Sequence, residues 1–109
     1  MNLKNYQEFT RTTAIYPKES AIVYCALGLM NEAGEVGGKI KKCIRDKNSD
    51  FNDVEFIANL SDEVGDVLWY ATRLLDELGM NIEDVFERNQ NKLQSRKERN
   101  VLSGSGDKR

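Results

Sequence analysis

Apolar residues recur every three or four positions along most of the chain, which is the spacing of one face of an α-helix. The longest such stretch predicts a helix from about Glu19 to Arg45. Its apolar stripe keeps the helical period for about six turns and consists of Ile22, Cys25, Ala26, Leu29, Ala33, Val36, Ile40 and Ile44. A second stripe predicts a helix from about Val54 to Leu78, and its members are Ile57, Leu60, Val64, Val67, Leu68, Ala71, Leu74, Leu75 and Leu78.

Two further helices are predicted at the ends of the chain. Residues 2 to about 14 have mixed three- and four-residue apolar spacing, and Tyr16-Pro17 interrupts this weak helix because the residue before proline avoids the helical region. Gly79 is a plausible stop for the helix before it, and Asn81 can cap a last helix that ends near Arg99. The inner face of that last helix changes from apolar to basic along its length.

These elements predict an all-α fold of four to five helices. The polar segment 46–53 is the expected loop between the two long helices. A chain of 109 residues suffices for one small core, so we expect a single domain over residues 1–100 and a flexible, Gly- and Ser-containing C-terminal tail over residues 101–109. One proline and eight glycines are too few for a turn-rich all-β protein.

Charge and composition exclude several classes of partner. A net charge of −2 gives no electrostatic reason to expect nucleic acid. No apolar run approaches the roughly 20 residues of a membrane span, and the first residues lack the apolar region of a signal peptide. We therefore expect a cytoplasmic protein.

Cys25 and Cys43 would lie about 27 Å apart on one helix, too far for a disulfide. We therefore expect both cysteines to be reduced and buried.

Two pairs of acidic residues stand at the edges of the two long stripes. Glu32 and Glu35 are three residues apart, as are Glu63 and Asp66, and this spacing places each pair on one helix face. Such pairs also arise by chance on solvated helices. If the two helices pack together, however, like charges 4 Å apart repel by about 4 kcal/mol at an effective dielectric constant of 20. Lys39, on the same helix edge, offsets only part of that repulsion.

The chemistry available to this group is limited because the chain contains no histidine. Histidine-based zinc sites and catalytic triads are excluded. Ligands that are all oxygen favour hard cations, Mg²⁺ first and Mn²⁺ next. Mg²⁺ that is held by a few carboxylates commonly completes its shell with water and substrate phosphates. Asn89, Lys92 and Arg96 on the last helix could contact those phosphates, although the alternative is an ordinary solvated helix end.

These motifs resemble the MazG family of nucleoside triphosphate pyrophosphohydrolases. The resemblance rests on Glu32-x-x-Glu35 with Lys39, and on Glu63-x-x-Asp66 followed by Val-Leu-Trp-Tyr. Asn89-x-x-Lys92-Leu with Arg96 is similar to the family's substrate-binding segment. The ending Gly-Ser-Gly-Asp-Lys-Arg is similar to the tails of small, often phage-encoded members, which more usually have Asn where this chain has Lys108.

The resemblance implies hydrolysis of a (deoxy)nucleoside triphosphate to the monophosphate and pyrophosphate. Mg²⁺ would be bound by the four acidic residues, and water would attack the α-phosphorus, with Glu35 as our choice to position it. The resemblance further implies that Lys39, Lys92 and Arg96 neutralise the triphosphate and that Asn89 contacts phosphate or sugar. It implies a homodimer or homotetramer with sites at the subunit interface.

Two alternatives stay open, together with the identity of the base. The chain could be a pyrimidine-specific dUTP or dCTP pyrophosphatase of the same fold. It could instead be a helical adaptor without activity, although an intact acidic quartet argues against a degenerate site. Tyr16, Trp69 and Tyr70 are aromatic candidates for the base pocket, and the alternative for each is a role in the core.

Overall fold

The computed structural model describes all 109 residues and contains helices and turns but no β-strand. Helix α1 spans Leu3–Thr12, α2 spans Ala21–Asp46, α3 spans Val54–Glu77 and α4 spans Ile82–Glu98. A single 3₁₀ turn, Lys18–Ser20, leads into α2. The predicted all-α fold is confirmed, and the helix ends lie within about two residues of the predicted ones, as is usual for boundaries assigned from sequence.

Local hydrogen bonds explain where the helices begin and end. The Asp53 side chain accepts from the backbone N–H of Phe56 (2.9 Å) at the start of α3, and Asn81 Oδ1 accepts from the N–H of Glu83 (2.8 Å) at the start of α4. Both satisfy a free N–H of a first turn. Gly79 follows α3 with a φ of 75°, which a residue without a Cβ adopts without strain. The cap and the stop predicted at Asn81 and Gly79 are therefore both present.

Helices α2 and α3 form an antiparallel hairpin that carries most of the packing. Gly28 near the start of α2 lies against Tyr70 in the second half of α3, whereas Cys43 near the end of α2 lines the same cavity as Phe56 near the start of α3. Cys25 and Cys43 are both buried and unpaired. They contribute to the core as small apolar side chains.

A buried arginine holds α1 against α3. The side chain of Arg73 is 4% exposed and donates hydrogen bonds to Asp76 (2.8 Å), to Glu77 (2.8 Å) and to the hydroxyl of Tyr16 (3.0 Å). The nitrogen that donates to Asp76, Nη1, also donates to the hydroxyl of Thr10 on α1 (3.3 Å). A buried charge requires such partners because its desolvation is otherwise uncompensated.

Gln7 joins α1 to the turn that connects α3 and α4. Its Nε2 donates to Asp76 and to the carbonyl of Met80, both at 2.9 Å, and its Oε1 accepts from the N–H of Ile82 at 2.9 Å. Helix α4 packs against α1 and α3 and makes no contact with α2. The helices therefore form an open arrangement in which α2 has only one long neighbour.

The single chain is extended for its size. Its radius of gyration is 17.0 Å, against about 13 Å for a compact domain of this length. Its accessible surface is 8079 Å², against about 6,100 Å² for a monomeric globular protein of this mass. Large apolar side chains supply part of the excess, and on α2 Val23, Leu27 and Met30 are 62%, 57% and 67% exposed. None of the helices is both long enough and apolar enough to cross a membrane.

Candidate metal centre

The α2–α3 hairpin brings acidic residues from the two predicted pairs together. One carboxylate oxygen each from Glu32 on α2 and from Glu63 and Asp66 on α3 lie within 4.8 Å of one another. Glu32 and Glu63 are half-buried, and Asp66 is exposed. Residues 63 and 66 share a face of α3 because they are three positions apart, and the antiparallel packing sets residue 32 opposite them.

Partial burial and like charge act together on Glu32. Burial raises the pKa of the Glu32 carboxyl above its usual range, and a hydrogen bond with Glu63 and the charges of Asp66, Glu63 and Glu35 raise it further. The group therefore holds more negative charge than its surroundings stabilise. Binding of a cation would relieve this repulsion and favour the charged form of Glu32.

Lys39 is the one basic residue within ion-pair distance of the group. Its Nζ lies 3.7 Å from Oε1 of Glu63. A single ammonium group faces three carboxylates, so charge is left uncompensated. Lys39 also lines a cavity of about 410 Å³ between the end of α2 and the start of α3, together with Lys42, Phe56 and Asn59. The acidic group thus adjoins a space large enough to admit part of a small ligand.

Glu35 lies outside the set of oxygens that approach one another within 4.8 Å. Its side chain is exposed, and it acts on the group through its charge, which raises the pKa of Glu32. A role as the fourth ligand, or as the residue that positions water, stays a prediction.

The predicted phosphate-binding residues of α4 are not joined to the acidic group within one chain. Asn89 is exposed, and Lys92 and Arg96 form ion pairs only with Asp107 in the C-terminal tail. No ion pair joins these two cations to Glu32, Glu63 or Asp66 within the single chain. Their role in binding substrate stays a prediction.

The aromatic candidates divide between two environments. Tyr16 donates its hydroxyl hydrogen to Glu77 (2.7 Å), and Trp69 Nε1 donates to Thr13 (2.8 Å), so both hold the α1 segment against α3. Tyr70 instead packs on α2 one turn from Glu32. Burial raises the pKa of Tyr70 above its usual range, and the neighbouring Tyr24 and the charge of Glu32 raise it further. Of the three, Tyr70 is the one beside the acidic group.

Sequence reasoning missed the buried polar residues and the partner of Lys92 and Arg96. The ion pairs of Arg73 are indicated by the local sequence, since Asp76 and Glu77 follow it at three and four residues. Its burial is not, because it depends on Thr10 and Tyr16, more than 50 positions away. The position of Asp107 has no local signal, because a Gly- and Ser-containing tail shows no periodicity that would place it on a helix face.

An all-α hairpin that gathers carboxylates from two helices at one point defines a class of helical protein suited to binding a divalent cation. Comparison with known families is consistent with this class. The model of the MazG nucleotide pyrophosphohydrolase domain matches residues 24–101, and the chain belongs to this family. The match includes α3, α4, nearly all of α2 and all eight predicted site residues. Helix α1 and most of the C-terminal tail lie outside it.

A relative that aligns with this chain over its whole length supports the assignment. The chain is 42% identical over 115 aligned positions to the "Gene 37 protein" of Mycobacterium phage L5, and the alignment covers all of both chains. That name describes no activity. No solved structure matches the chain with significance. Family membership places the chain among nucleotide pyrophosphohydrolase domains.

Proposed function

We propose that the protein hydrolyses (deoxy)nucleoside triphosphates to the monophosphate and pyrophosphate in a reaction that depends on Mg²⁺. The observation that carries the proposal is the convergence of Glu32, Glu63 and Asp66 within 4.8 Å, in a chain of the MazG nucleotide pyrophosphohydrolase family. The role would be the cleansing or control of a nucleotide pool.

The donor set fits a hard divalent cation. All of its ligands are carboxylate oxygens, the separations are short enough for shared coordination, and no histidine or nearby cysteine offers a softer ligand. We propose Glu32, Glu63 and Asp66 as the ligands, with Glu35 as a fourth, and Mn²⁺ as a substitute for Mg²⁺. A bound divalent cation supplies stabilisation of the negative charge that develops on the phosphates.

The remaining predicted residues would bind and orient the substrate. Lys39 is already 3.7 Å from Glu63 and could turn to a phosphate oxygen when a cation replaces it as the partner of that carboxylate. Glu35, exposed beside the acidic group, would accept a hydrogen bond from the attacking water and hold it in line with the α-phosphorus. Lys92 and Arg96 would neutralise the triphosphate, and Asn89 would contact phosphate or sugar.

We further propose that the functional form is a homodimer or homotetramer with its sites at subunit interfaces. The surface in excess of a compact monomer is roughly 2,000 Å², which is in the range buried by stable interfaces. The exposed stripe Val23, Leu27 and Met30 follows one face of α2 at helical spacing. In such an assembly, Lys92 and Arg96 of one copy would lie beside the acidic group of another copy. Within their own chain, they pair only with Asp107.

A panel assay tests the proposed function and its alternatives together. Purified protein is incubated with the standard ribo- and deoxynucleoside triphosphates, with Mg²⁺ or with EDTA, and pyrophosphate is measured. Release from several substrates with Mg²⁺ alone supports the proposal. Release confined to dUTP or dCTP would assign the pyrimidine-specific alternative, and no release from any substrate would favour the non-enzymatic adaptor.

A further inference from the structure

The C-terminal tail closes on itself and on α4. The guanidinium of Arg109 donates to three carbonyls of the tail, those of Val101 (3.1 Å), Leu102 (2.8 Å) and Gly106 (2.7 Å). Gly104 and Gly106 have φ values of 119° and 89°, so the turns of the tail lie in a region that favours glycine. The tail thereby forms a compact loop rather than an extended strand.

This loop places one carboxylate on the two basic side chains of α4. Asp107 Oδ1 lies 2.8 Å from Nζ of Lys92 and 3.4 Å from Nη2 of Arg96, and the Asp107 carbonyl also accepts from Nη2 of Arg96. Asp107 thus presents an anionic oxygen at the position where the proposed function requires a phosphate oxygen. A carboxylate and a phosphate compete for the same guanidinium and ammonium donors.

Arg96 is built to hold an anion but is only partly used by Asp107. Its side chain is 7% exposed with the tail in place, so its planar fork is enclosed while Asp107 is bound. Both of its contacts with Asp107 run from the single nitrogen Nη2, and its Nε is buried without a hydrogen-bond partner. A phosphate, with three or more oxygens, can accept from two nitrogens of the fork at once, which one carboxylate oxygen does not achieve here.

The ion pair between Asp107 and Lys92 is exposed to solvent on both sides, at 79% and 38% of the side chains. Exposed ion pairs contribute little to stability and are screened by salt. A polyanion that offers more oxygens to Arg96 and to Lys92 therefore competes favourably with this carboxylate. The arrangement combines a preformed anion site with a weakly held internal occupant.

We propose that the C-terminal tail is an intramolecular competitor of substrate, in which Asp107 occupies Lys92 and Arg96 until the phosphates of the nucleotide displace it. This inference rests on the proposed function for the role of Lys92 and Arg96. It adds an autoinhibitory contact that sets the apparent affinity, since the binding-competent form is only the fraction of molecules with the tail released.

The test compares Asp107→Asn, and a variant that lacks residues 103–109, with a charge-matched control. Glu87→Gln removes one negative charge from an exposed position of α4 whose side chain forms no ion pair with the tail. Binding of inorganic pyrophosphate without Mg²⁺ is measured by calorimetry, and KM and kcat are measured with the preferred nucleotide. We expect both tail variants to bind pyrophosphate about three- to tenfold more tightly and to lower KM by a similar factor, with Glu87→Gln unchanged.

A double-mutant cycle assigns the effect to the ion pair. In a Lys92→Gln background, Asp107→Asn should give a smaller gain in pyrophosphate affinity than in the parent chain. Amide hydrogen exchange of residues 101–109 should rise when pyrophosphate is added to the parent chain. Unchanged or weaker binding in both tail variants, or a tail that becomes more protected with pyrophosphate, would overturn the proposal.

The measurements separate this inference from the proposed function. Tighter pyrophosphate binding in the tail variants of a chain that hydrolyses no nucleotide would support the internal competitor and contradict the enzymatic role. Normal hydrolysis with KM and pyrophosphate affinity unaffected by Asp107→Asn would support the enzyme and contradict the competitor.

Discussion

The ring of Tyr70 lies against the backbone of Gly28, so close that a Cβ at position 28 would come 2.2 Å from Cε1 of that ring. This contact fixes the separation of α2 and α3 one turn from Glu32. The acidic group therefore depends on a residue without a side chain as well as on its own carboxylates.

Replacement of Gly28 by alanine should destabilise the chain. Overpacking of this kind costs about 1–3 kcal/mol, whereas alanine in an open helix interior is favourable by up to about 1 kcal/mol relative to glycine. The matched control is Gly37→Ala, where a Cβ meets nothing within 4 Å. In urea unfolding, the free energy of unfolding of Gly28→Ala should be lower than that of the parent chain. That of Gly37→Ala should equal or exceed it. Equal stability of the two variants would show that Tyr70 moves without cost.

The role of the acidic group is tested by charge removal at single positions. Asp66→Asn and Glu35→Gln should each lower turnover by about 100-fold or more, as expected for loss of a ligand or of a residue that positions water. Circular dichroism should show unchanged helical content. Asp62→Asn, a neighbouring exposed acid outside the group, is the control and should keep near-normal rates. Near-normal turnover of Asp66→Asn at limiting Mg²⁺ would contradict the metal assignment.

Asp76 should make the stability of the fold dependent on pH. Its carboxylate accepts hydrogen bonds from Arg11 (2.7 Å), Gln7 (2.9 Å) and Arg73 (2.8 Å), and the first of these is the main reason that the pKa of Asp76 lies far below its usual range. The folded chain thus keeps this group charged to lower pH than the unfolded chain does. The resulting stabilisation is complete above the unfolded pKa of about 4 and is lost as the pH falls further.

Asp76→Asn should therefore reduce the free energy of unfolding at pH 7 by about 2–4 kcal/mol, because it leaves buried Arg73 with less compensation. The difference from the parent chain should shrink below pH 4. Asp46→Asn, which breaks an exposed ion pair with Arg45, is the control and should leave stability unchanged. A difference that stays constant from pH 7 to pH 2 would show that Asp76 acts by packing rather than by charge.

Self-association should depend on the exposed face of α2. Met30→Glu places a charge in the stripe that also contains Val23 and Leu27, and it should shift the chain from dimer or tetramer towards monomer in sedimentation experiments. Ile15→Glu changes an isolated residue that is 95% exposed and should have no effect. A parent chain that sediments as a monomer at micromolar concentration would contradict the proposed assembly.

The four helices were predictable because each long segment carries a strong local pattern, and because Asn81 and Gly79 act on adjacent backbone groups. The pairing of Glu32 with Glu63 and Asp66 followed from the same periodicity once two stripes were packed together. The 3₁₀ turn at Lys18–Ser20 is a local feature after Pro17 that the apolar pattern does not mark. The burial of Gln7, Thr10 and Arg73 was not predictable, since it depends on contacts between distant parts of the chain. For the same reason, nothing in the local sequence placed Asp107 on α4.

The most direct test of the central claim is the position of the bond that is cleaved. Nucleoside triphosphate is incubated with the protein and Mg²⁺ in ¹⁸O-labelled water, and the products are identified by ³¹P NMR and mass spectrometry. We predict nucleoside monophosphate that carries the label, together with unlabelled pyrophosphate, and no reaction in EDTA. Formation of nucleoside diphosphate and orthophosphate would contradict the assignment of these acidic residues to attack at the α-phosphorus.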